Sequence, residues 1–350
     1  MSNSRNKVIR SFLFSEAQLH AEAILKENDP VYLPMFLRLE QTKLSKNYIV
    51  KAIDQIAAHK NPQILYQAFA TLDLPHQKLV AENVLDYLFE FDNCYYIGKF
   101  GWLWYRCLQV LDDEAMNAKF LKNGLGKRFL DDWIDLQRSV NHMKLQRIVT
   151  SYGKSSQPIR SPETNIIKNR EGEIPQFIVM HSAGAASAIE RIAVNFLTPN
   201  PSISAHFVIT ENGRVFQFVD LKDAARTNKT DSDPTNDTYY KYATHEFFNK
   251  NPKNANDFTI SIEFEEFGNH GSISESQKRS ALETIALIKE SYDIPIDGYH
   301  LIGHGEITPL TRSYCPGSNF PFEEIIMEYN NNASNIRPIK PLDIRSLVEW

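Results

Sequence analysis

Residues 178–220 read IVMHSAGAASAIERIAVNFLTPNPSISAHFVITENGRVFQFVD, and three local signals in this stretch set the architecture around it. Phe177 to Met180 is a short apolar run fit for a buried strand, and it delivers His181 at its end. Ser187 and Glu190 have capping-box spacing, and Ile189, Ile192, Ala193 and Phe196 then fall on one helical face. Asn212-Gly213 lies between the runs Ala205 to Ile209 and Val215 to Val219; both turn residues tolerate positive φ, which predicts a hairpin. Strand, helix and hairpin in that order begin a sheet covered by helices.

Downstream the pattern continues. Phe258 to Phe264 alternates as a strand does, and Gly271 with a Ser274/Gln277 capping box starts a helix whose face is Ala281, Ile285, Ile288 and Tyr292. A strand from Tyr299 to Gly303 ends at His304, and a loop runs on to Cys315-Pro316-Gly317. The polar, Pro-containing stretch after Tyr329 reads as a tail extended over the surface, residues 329–350.

Upstream, residues 151–174 are rich in Ser, Pro, Gly and charge, the composition of a linker or wrapping arm. Residues 1–150 show helical spacing throughout, for example Val80, Val84, Tyr87 and Leu88 after Pro75. The aromatics Phe89, Phe91, Tyr95, Tyr96, Phe100 and Trp102 read as the core of that helical domain. Lys and Arg number 19 against 17 Asp and Glu before residue 151 and 19 against 26 after it, so the two parts read as built for different tasks. The expected organisation is an all-α domain over 1–150, the arm 151–174, an α/β domain over 175–328 and the tail.

A net charge of -5 over 350 residues gives no basic field for nucleic acid or an anionic membrane. No window approaches a membrane span, and Arg5, Lys7, Arg10, Glu16, Glu22 and Glu27 interrupt any signal-like apolar run. Cys94, Cys107 and Cys315 are too few for a disulfide framework, which points to folding in a reducing cytoplasm.

His181 and His304 at strand ends and Cys315 eleven residues later are zinc-ligating types, and two imidazoles with one thiolate leave a tetrahedral position open, as a catalytic zinc requires. Singly, each also reads as an ordinary hydrogen-bonded His or buried thiol. Together with NDFTISIEFE (256–265), GHGEITP (303–309) and SYCPG (313–317), the stretch quoted above resembles the amidase family that includes phage lysozyme-type amidases, peptidoglycan recognition proteins and cytoplasmic muropeptide-recycling amidases. The resemblance covers roughly residues 175–328. It implies a mixed central β-sheet flanked by helices, an edge zinc site and Zn2+ held by His181, His304 and Cys315.

By the same resemblance Glu263 stands where recycling-type members keep their general base; strand alternation alone puts Glu263 and Glu265 on one face and does not choose between them. Ser313, with Arg312 beside it, occupies the position of the residue that stabilises the oxyanion. Departures fall on the substrate side. Ala205 replaces a Tyr found in phage enzymes, and Ala224-Ala225-Arg226-Thr227-Asn228 replaces a Trp-His-Ala-Gly-like segment, which leaves Arg226, Asn228 and His206 as substrate-side candidates. His206 also reads as a structural hydrogen-bonder, not a fourth ligand. The loop 229–256 reads as a groove-side element offering Tyr239, Tyr240 or Phe248 to glycan or peptide, or as a variable surface insertion.

The expected activity is zinc-dependent hydrolysis of the bond between the lactyl group of N-acetylmuramic acid and L-alanine, in peptidoglycan or muropeptides. The alternatives are a non-cutting recognition module, and an amidase effector whose helical half is an export or adaptor domain. Without a signal peptide the chain would act on muropeptides in the cytoplasm or leave by another route, with a holin, secretion or immunity partner.

Overall fold

The structure, a computed structural model, describes residues 44–60, 62–91, 128–153, 155–183, 188–199, 203–228, 240, 242–251, 253–265, 272–312 and 315–348, together with positions 25, 26, 33, 37, 103, 107, 110 and 111. They fall into two compact units, Met1–Phe129 with Leu310–Tyr314, and Leu130–Pro309 with Cys315–Trp350.

The described elements of residues 1–129 are helices: α1 (Lys46–Ala58), α2 (Pro62–Thr71) and α3 (Leu74–Phe91). The Ser45 hydroxyl caps α1 by accepting the Tyr48 N–H at 3.2 Å. One face of α1 (Ile49, Ile53, Ile56) and one of α3 (Val80, Val84, Leu88) are buried, and the Tyr87 hydroxyl on α3 donates to Asp54 Oδ1 on α1 at 3.1 Å. Pro75 stands in the first turn of α3, where its missing N–H costs nothing. Of the aromatic stretch between Phe89 and Trp102, the side chains of Phe89 and Phe91 and the whole of Tyr95, Tyr96, Phe100 and Trp102 lie outside the described residues.

The second unit begins inside α4 (Arg128–Ser151), not in the polar stretch after it. The reason is packing: Leu145 and Val149 of α4 are buried with Ile159, Ile166, Ile192, Phe196, Val208 and Phe218. Past α4 the chain forms β1 (Ile166–Ile167), β2 (Phe177–Ser182), α5 (Ile189–Leu197), β3 (Phe207–Ile209), β4 (Val215–Gln217), β5 (Ala224–Ala225), α6 (Glu246–Lys250) and β6 (Thr259–Phe264). It continues through α7 (Glu275–Lys289), β7 (Leu301–Gly303), α8 (His304–Ile307), α9 (Pro309–Arg312) and α10 (Phe322–Asn332). Five strands make one mixed sheet in the order β4-β3-β6-β2-β7; β4 runs antiparallel to β3, and the other pairs are parallel. β1 and β5 pair separately.

The two faces of this sheet differ. Ile178, Met180, Phe207, Ile209, Ile260, Ile262 and Phe264 alternate onto one face and pack with Ala281, Ile285 and Ile288 of α7 and Ile325 of α10. The capping box of Ser274 and Gln277 starts α7. The other face carries Val179, His181, Ser261 and Glu263 by the same period of two. The tail does more than lie on the surface: Leu342 N–H donates to Val215 O at 2.7 Å, and Ile344 and Leu347 are buried in the core with α4 and α5. No helix among the described residues is long and apolar enough to cross a membrane.

The hairpin differs from the two-residue turn expected. Only Gly213 has positive φ (82°), and Gly213 N–H donates to Thr210 O at 2.8 Å while Thr210 N–H donates to Arg214 O at 2.9 Å, so Glu211, Asn212 and Gly213 form a three-residue loop. A Cβ on Gly213 would stand 2.9 Å from Ser276 O. Gly213→Ala combines left-handed strain with that clash and destabilises the chain by about 1–2 kcal/mol or more. Urea unfolding measures it; an unchanged midpoint would show that the loop has no such constraint.

Candidate metal and catalytic site

β2 and β6 are in register, with Phe177 opposite Thr259 and His181 opposite Glu263. Residues opposite one another in a ladder share a face, so the His181 imidazole and the Glu263 carboxylate rise side by side. Both are buried. β7 pairs with β2 on its other side through Met180 and Gly303, and the chain turns into α8 at His304, which brings the His304 ring to 4.6 Å from that of His181, centroid to centroid.

Cys315 reaches the same point from the loop after α9. Its Sγ lies 3.8 Å from His181 Nδ1 and accepts the Ser182 N–H at 3.4 Å, while its carbonyl accepts the Gly305 N–H at 2.9 Å. Gly303 is required for this approach, because a Cβ there would meet Pro316 Cδ at 2.8 Å. The ligand atoms of His181, His304 and Cys315 all lie within 4.8 Å of one another, and the three residues are buried. Tetrahedral bonds of about 2.3 Å to sulfur and about 2.05 Å to nitrogen set an S···N separation of about 3.6 Å. The 3.8 Å between Cys315 and His181 fits that geometry. The donor set of two imidazoles and a thiolate suits zinc and leaves one position for a reactant.

Glu265, the acid that alternation could not separate from Glu263, has a different occupation. Its Oε1 accepts the Ile189 N–H at 2.8 Å and its Oε2 the Glu211 N–H at 2.9 Å, so it caps α5 and ties down the hairpin loop. Burial pushes its carboxyl up despite those two bonds. Ala188, not Ser187, holds the N-cap position of α5 and offers no side-chain bond; Ser187 lies outside the described residues.

The substrate-side candidates are dispersed. His206 is wholly buried: Nδ1 accepts the Ser261 N–H at 3.0 Å, and Nε2 faces Asp223 O at 3.0 Å and Arg170 Nη2 at 2.8 Å. An amide N–H can only donate, so Nδ1 acts as its acceptor, while Nε2 stands between an acceptor, Asp223 O, and a donor, the Arg170 guanidinium. Burial, then the Arg170 charge, hold the ring well below its ordinary pKa. Asn228 is also buried, its amide nitrogen donating to Thr259 Oγ1 at 2.8 Å and its backbone N–H to Asn256 Oδ1 at 2.8 Å. Such placement suits internal bracing for both residues. Arg226 is exposed, with its Nε donating to Ile166 O at 3.3 Å.

Arg312 ends α9, in the segment Leu310–Tyr314 that groups with the first unit, and Ser313 lies outside the described residues. Tyr240 and Phe248 are buried in an apolar cluster with Phe177, Val179 and Ile302, so neither is offered to a ligand; Tyr239 lies outside the described residues. His245 Nε2 faces Tyr299 O at 2.9 Å and His300 Nδ1 faces Asp297 Oδ1 at 2.8 Å; His270 lies outside the described residues. Arg170 escaped the sequence reading, since nothing in KNREG marks a charged residue as 1% exposed.

This metal-type triad beside a buried carboxylate, on one face of a mixed sheet, is the equipment of a hydrolase. Residues 171–318 match the family described as N-acetylmuramoyl-L-alanine amidase, so the chain carries a domain of that family and is an amidase of the class that acts on peptidoglycan. Among solved structures it is similar to a selenomethionine AmpD derivative (21% identity, 49% of this chain and 96% of that one, TM-score 0.35). It is also similar to the N-acetylmuramoyl-L-alanine amidase LysC from Clostridium intestinale URNW (18%, 50% and 94%, 0.31) and a mutant endolysin from Bacillus subtilis (14%, 51% and 95%, 0.32). No curated protein matches the chain.

Before β6, Asp257 carries a buried Oδ1 with no hydrogen-bond partner, and burial, with Glu171 and Glu173 nearby, pushes its carboxyl up to about 6. A raised carboxyl favours the folded state below its unfolded pKa near 3.8 and loses that contribution as pH rises through about 6. Asp257→Asn therefore stabilises the chain at pH 8, by about 1–2 kcal/mol after allowing for solvent screening, and has little effect at pH 4. Urea unfolding of both proteins at the two pH values tests this; equal effects at both would refute it.

Proposed function

We propose that the chain hydrolyses the amide bond between the lactyl group of N-acetylmuramic acid and L-alanine, with zinc held by His181, His304 and Cys315 and with Glu263 as general base. The observation that carries this reading is the in-register pairing of His181 with Glu263, within a donor set whose ligand atoms lie within 4.8 Å of one another. Zinc held there would supply a Lewis acid to polarise the scissile carbonyl and would make a water acidic enough to lose a proton near neutral pH. Glu263 takes that proton as the water oxygen bonds to the lactyl carbonyl carbon, and returns it to the L-alanine nitrogen as the C–N bond breaks.

Arg312 and Ser313 are the proposed oxyanion donors, Arg312 by charge and Ser313 by its hydroxyl. Arg226, exposed, is the substrate-side residue best suited to meet a peptide carboxylate. Peptidoglycan strands or soluble muropeptides are the substrates, reached in the cytoplasm or after export by a holin-type or secretion route. The helical first unit, residues 1–129, would then act as the adaptor for that route.

The test is incubation of the full chain with sacculi and with soluble muropeptides, with and without chelator, reading free lactyl ends and released peptides by mass spectrometry. Cleavage that the chelator abolishes is expected. Glu263→Gln should lower the rate by about 10²–10⁴-fold with zinc content unchanged. Cys315→Ser should weaken zinc retention by at least roughly tenfold, since a thiolate ligand is lost. Zinc binding without cleavage of either substrate would replace this reading by a recognition module that does not cut.

A further inference from the structure

The strand that carries Glu263 begins on a buried polar circuit. Arg170 is 1% exposed, and its guanidinium donates through Nε to Leu221 O at 3.0 Å and through Nη1 to Thr259 O at 2.8 Å, with Asn256 O and Asp257 O both at 3.3 Å. One side chain thus holds the turn at 221–223 and the entry to β6. His206 closes the circuit from the other side, because its Nε2 faces both Asp223 O and Arg170 Nη2 and its Nδ1 receives Ser261 N–H. His206 N–H also donates to Ser261 O at 3.2 Å, so Ser261 is gripped at both backbone groups by one residue.

The Ser261 N–H donates to a side-chain acceptor, the imidazole, where β3 starts to pair with β6. Two residues further along, on the same face, stands Glu263. The circuit is held at a local cost. Asn169, Arg170 and Glu171 have φ of 50°, 51° and 51°, a left-handed run of three non-glycine residues, each disfavoured by about 1–2 kcal/mol. That conformation turns the Arg170 side chain into the interior, and its bonds there help to offset it, as does the Asn169 N–H donated to Asp223 Oδ1 at 2.9 Å. Desolvation lowers the guanidinium to about 10, so it remains a cation at neutral pH.

We propose that Arg170 and His206 are positioning residues for the amidase reaction: together they fix the start of β6, and through it the placement of Glu263 beside His181. This rests on Glu263 being the base proposed above. Neither residue touches the reacting atoms. A misplacement on the order of 1 Å at the base costs about a hundredfold in rate, which is the sensitivity the circuit guards against.

The experiment uses the full, zinc-loaded chain and its variants His206→Phe, His206→Gln and Arg170→Lys, each checked for folding by circular dichroism and for metal content. Gln keeps both jobs of the ring, with Oε1 accepting from Ser261 and Nε2 donating to Asp223; Phe keeps neither. Expected for His206→Phe and Arg170→Lys is a kcat lower by about ten- to a hundredfold, with KM within about twofold and zinc content unchanged. Exchange of the Ser261 amide hydrogen, followed by NMR, should be at least about tenfold faster in those two variants. His206→Gln should restore both kcat and the slow exchange.

A folded, zinc-replete His206→Phe or Arg170→Lys with wild-type kcat would overturn the proposal. If His206→Phe does not fold, His206→Gln decides: near wild-type kcat with a protected Ser261 amide supports it, and a folded variant as slow as Arg170→Lys despite that protection overturns it. Activity retained by Glu263→Gln would instead remove the base assignment, and is read on a separate variant.

Discussion

A parallel ladder admits one register for a given alternation, because a slip of one residue exchanges the faces of every side chain on the strand. For β2 and β6 that register sets Ile178, Met180, Ile260, Ile262 and Phe264 against α7, and it leaves His181 and Glu263 side by side on the other face. The hydrophobic effect thereby fixes the chemistry: slipping the pair would bury a carboxylate or an imidazole in the apolar layer and part the two polar groups. β7, docked on β2 through Ile178–Leu301 and Met180–Gly303, inherits the same phase and delivers His304 at its end. Cys315 is the member of the triad that comes from a loop, and its place depends on the absence of a side chain at Gly303.

The polar face needs supports that an apolar core does not. A buried carbonyl or amide left unpaired costs about 1–3 kcal/mol, and the entry to β6 has three that take side-chain partners: Asp257 O, Thr259 O and Ser261 N. Arg170 and His206 satisfy these three with their side chains. A guanidinium suits this work, since it donates in several directions from one rigid plane. The left-handed backbone at 169–171 follows from the same need, because the arm runs along the outside of the unit and must turn sharply to send Arg170 inward.

Much of this was legible in the sequence because it is local. Strand ends at His181 and His304, the Ser274/Gln277 box of α7 and the identity of the triad follow from pattern and from the family resemblance. What escaped is long-range. α4 reads as one more helix of the first part, yet Leu145 and Val149 bury against residues from β3 and α5. Ile344 and Leu347 sit in a polar tail, and only the closing of the sheet edge by Leu342 on Val215 reveals them as core. Gly213 was legible as a turn residue, but the loop length depends on Glu211 being held by Glu265, 54 residues away.

Glu263 and Glu265 show the limit of pattern most sharply. They lie two residues apart, Glu263 in β6 and Glu265 just past its end, and both are buried. Their environments separate them. Glu265 has both oxygens engaged by the backbone N–H groups of Ile189 and Glu211, a helix start and a hairpin loop, so any motion of that carboxylate would release two elements at once. A general base must exchange a proton and realign within each turnover, which a carboxylate serving as a double cap cannot do without loosening the fold. Glu263 stands directly opposite the metal-type imidazole of His181 in the ladder. What the Glu265 oxygens hold therefore ties that acid to the fold, and its place opposite His181 is what sets Glu263 apart.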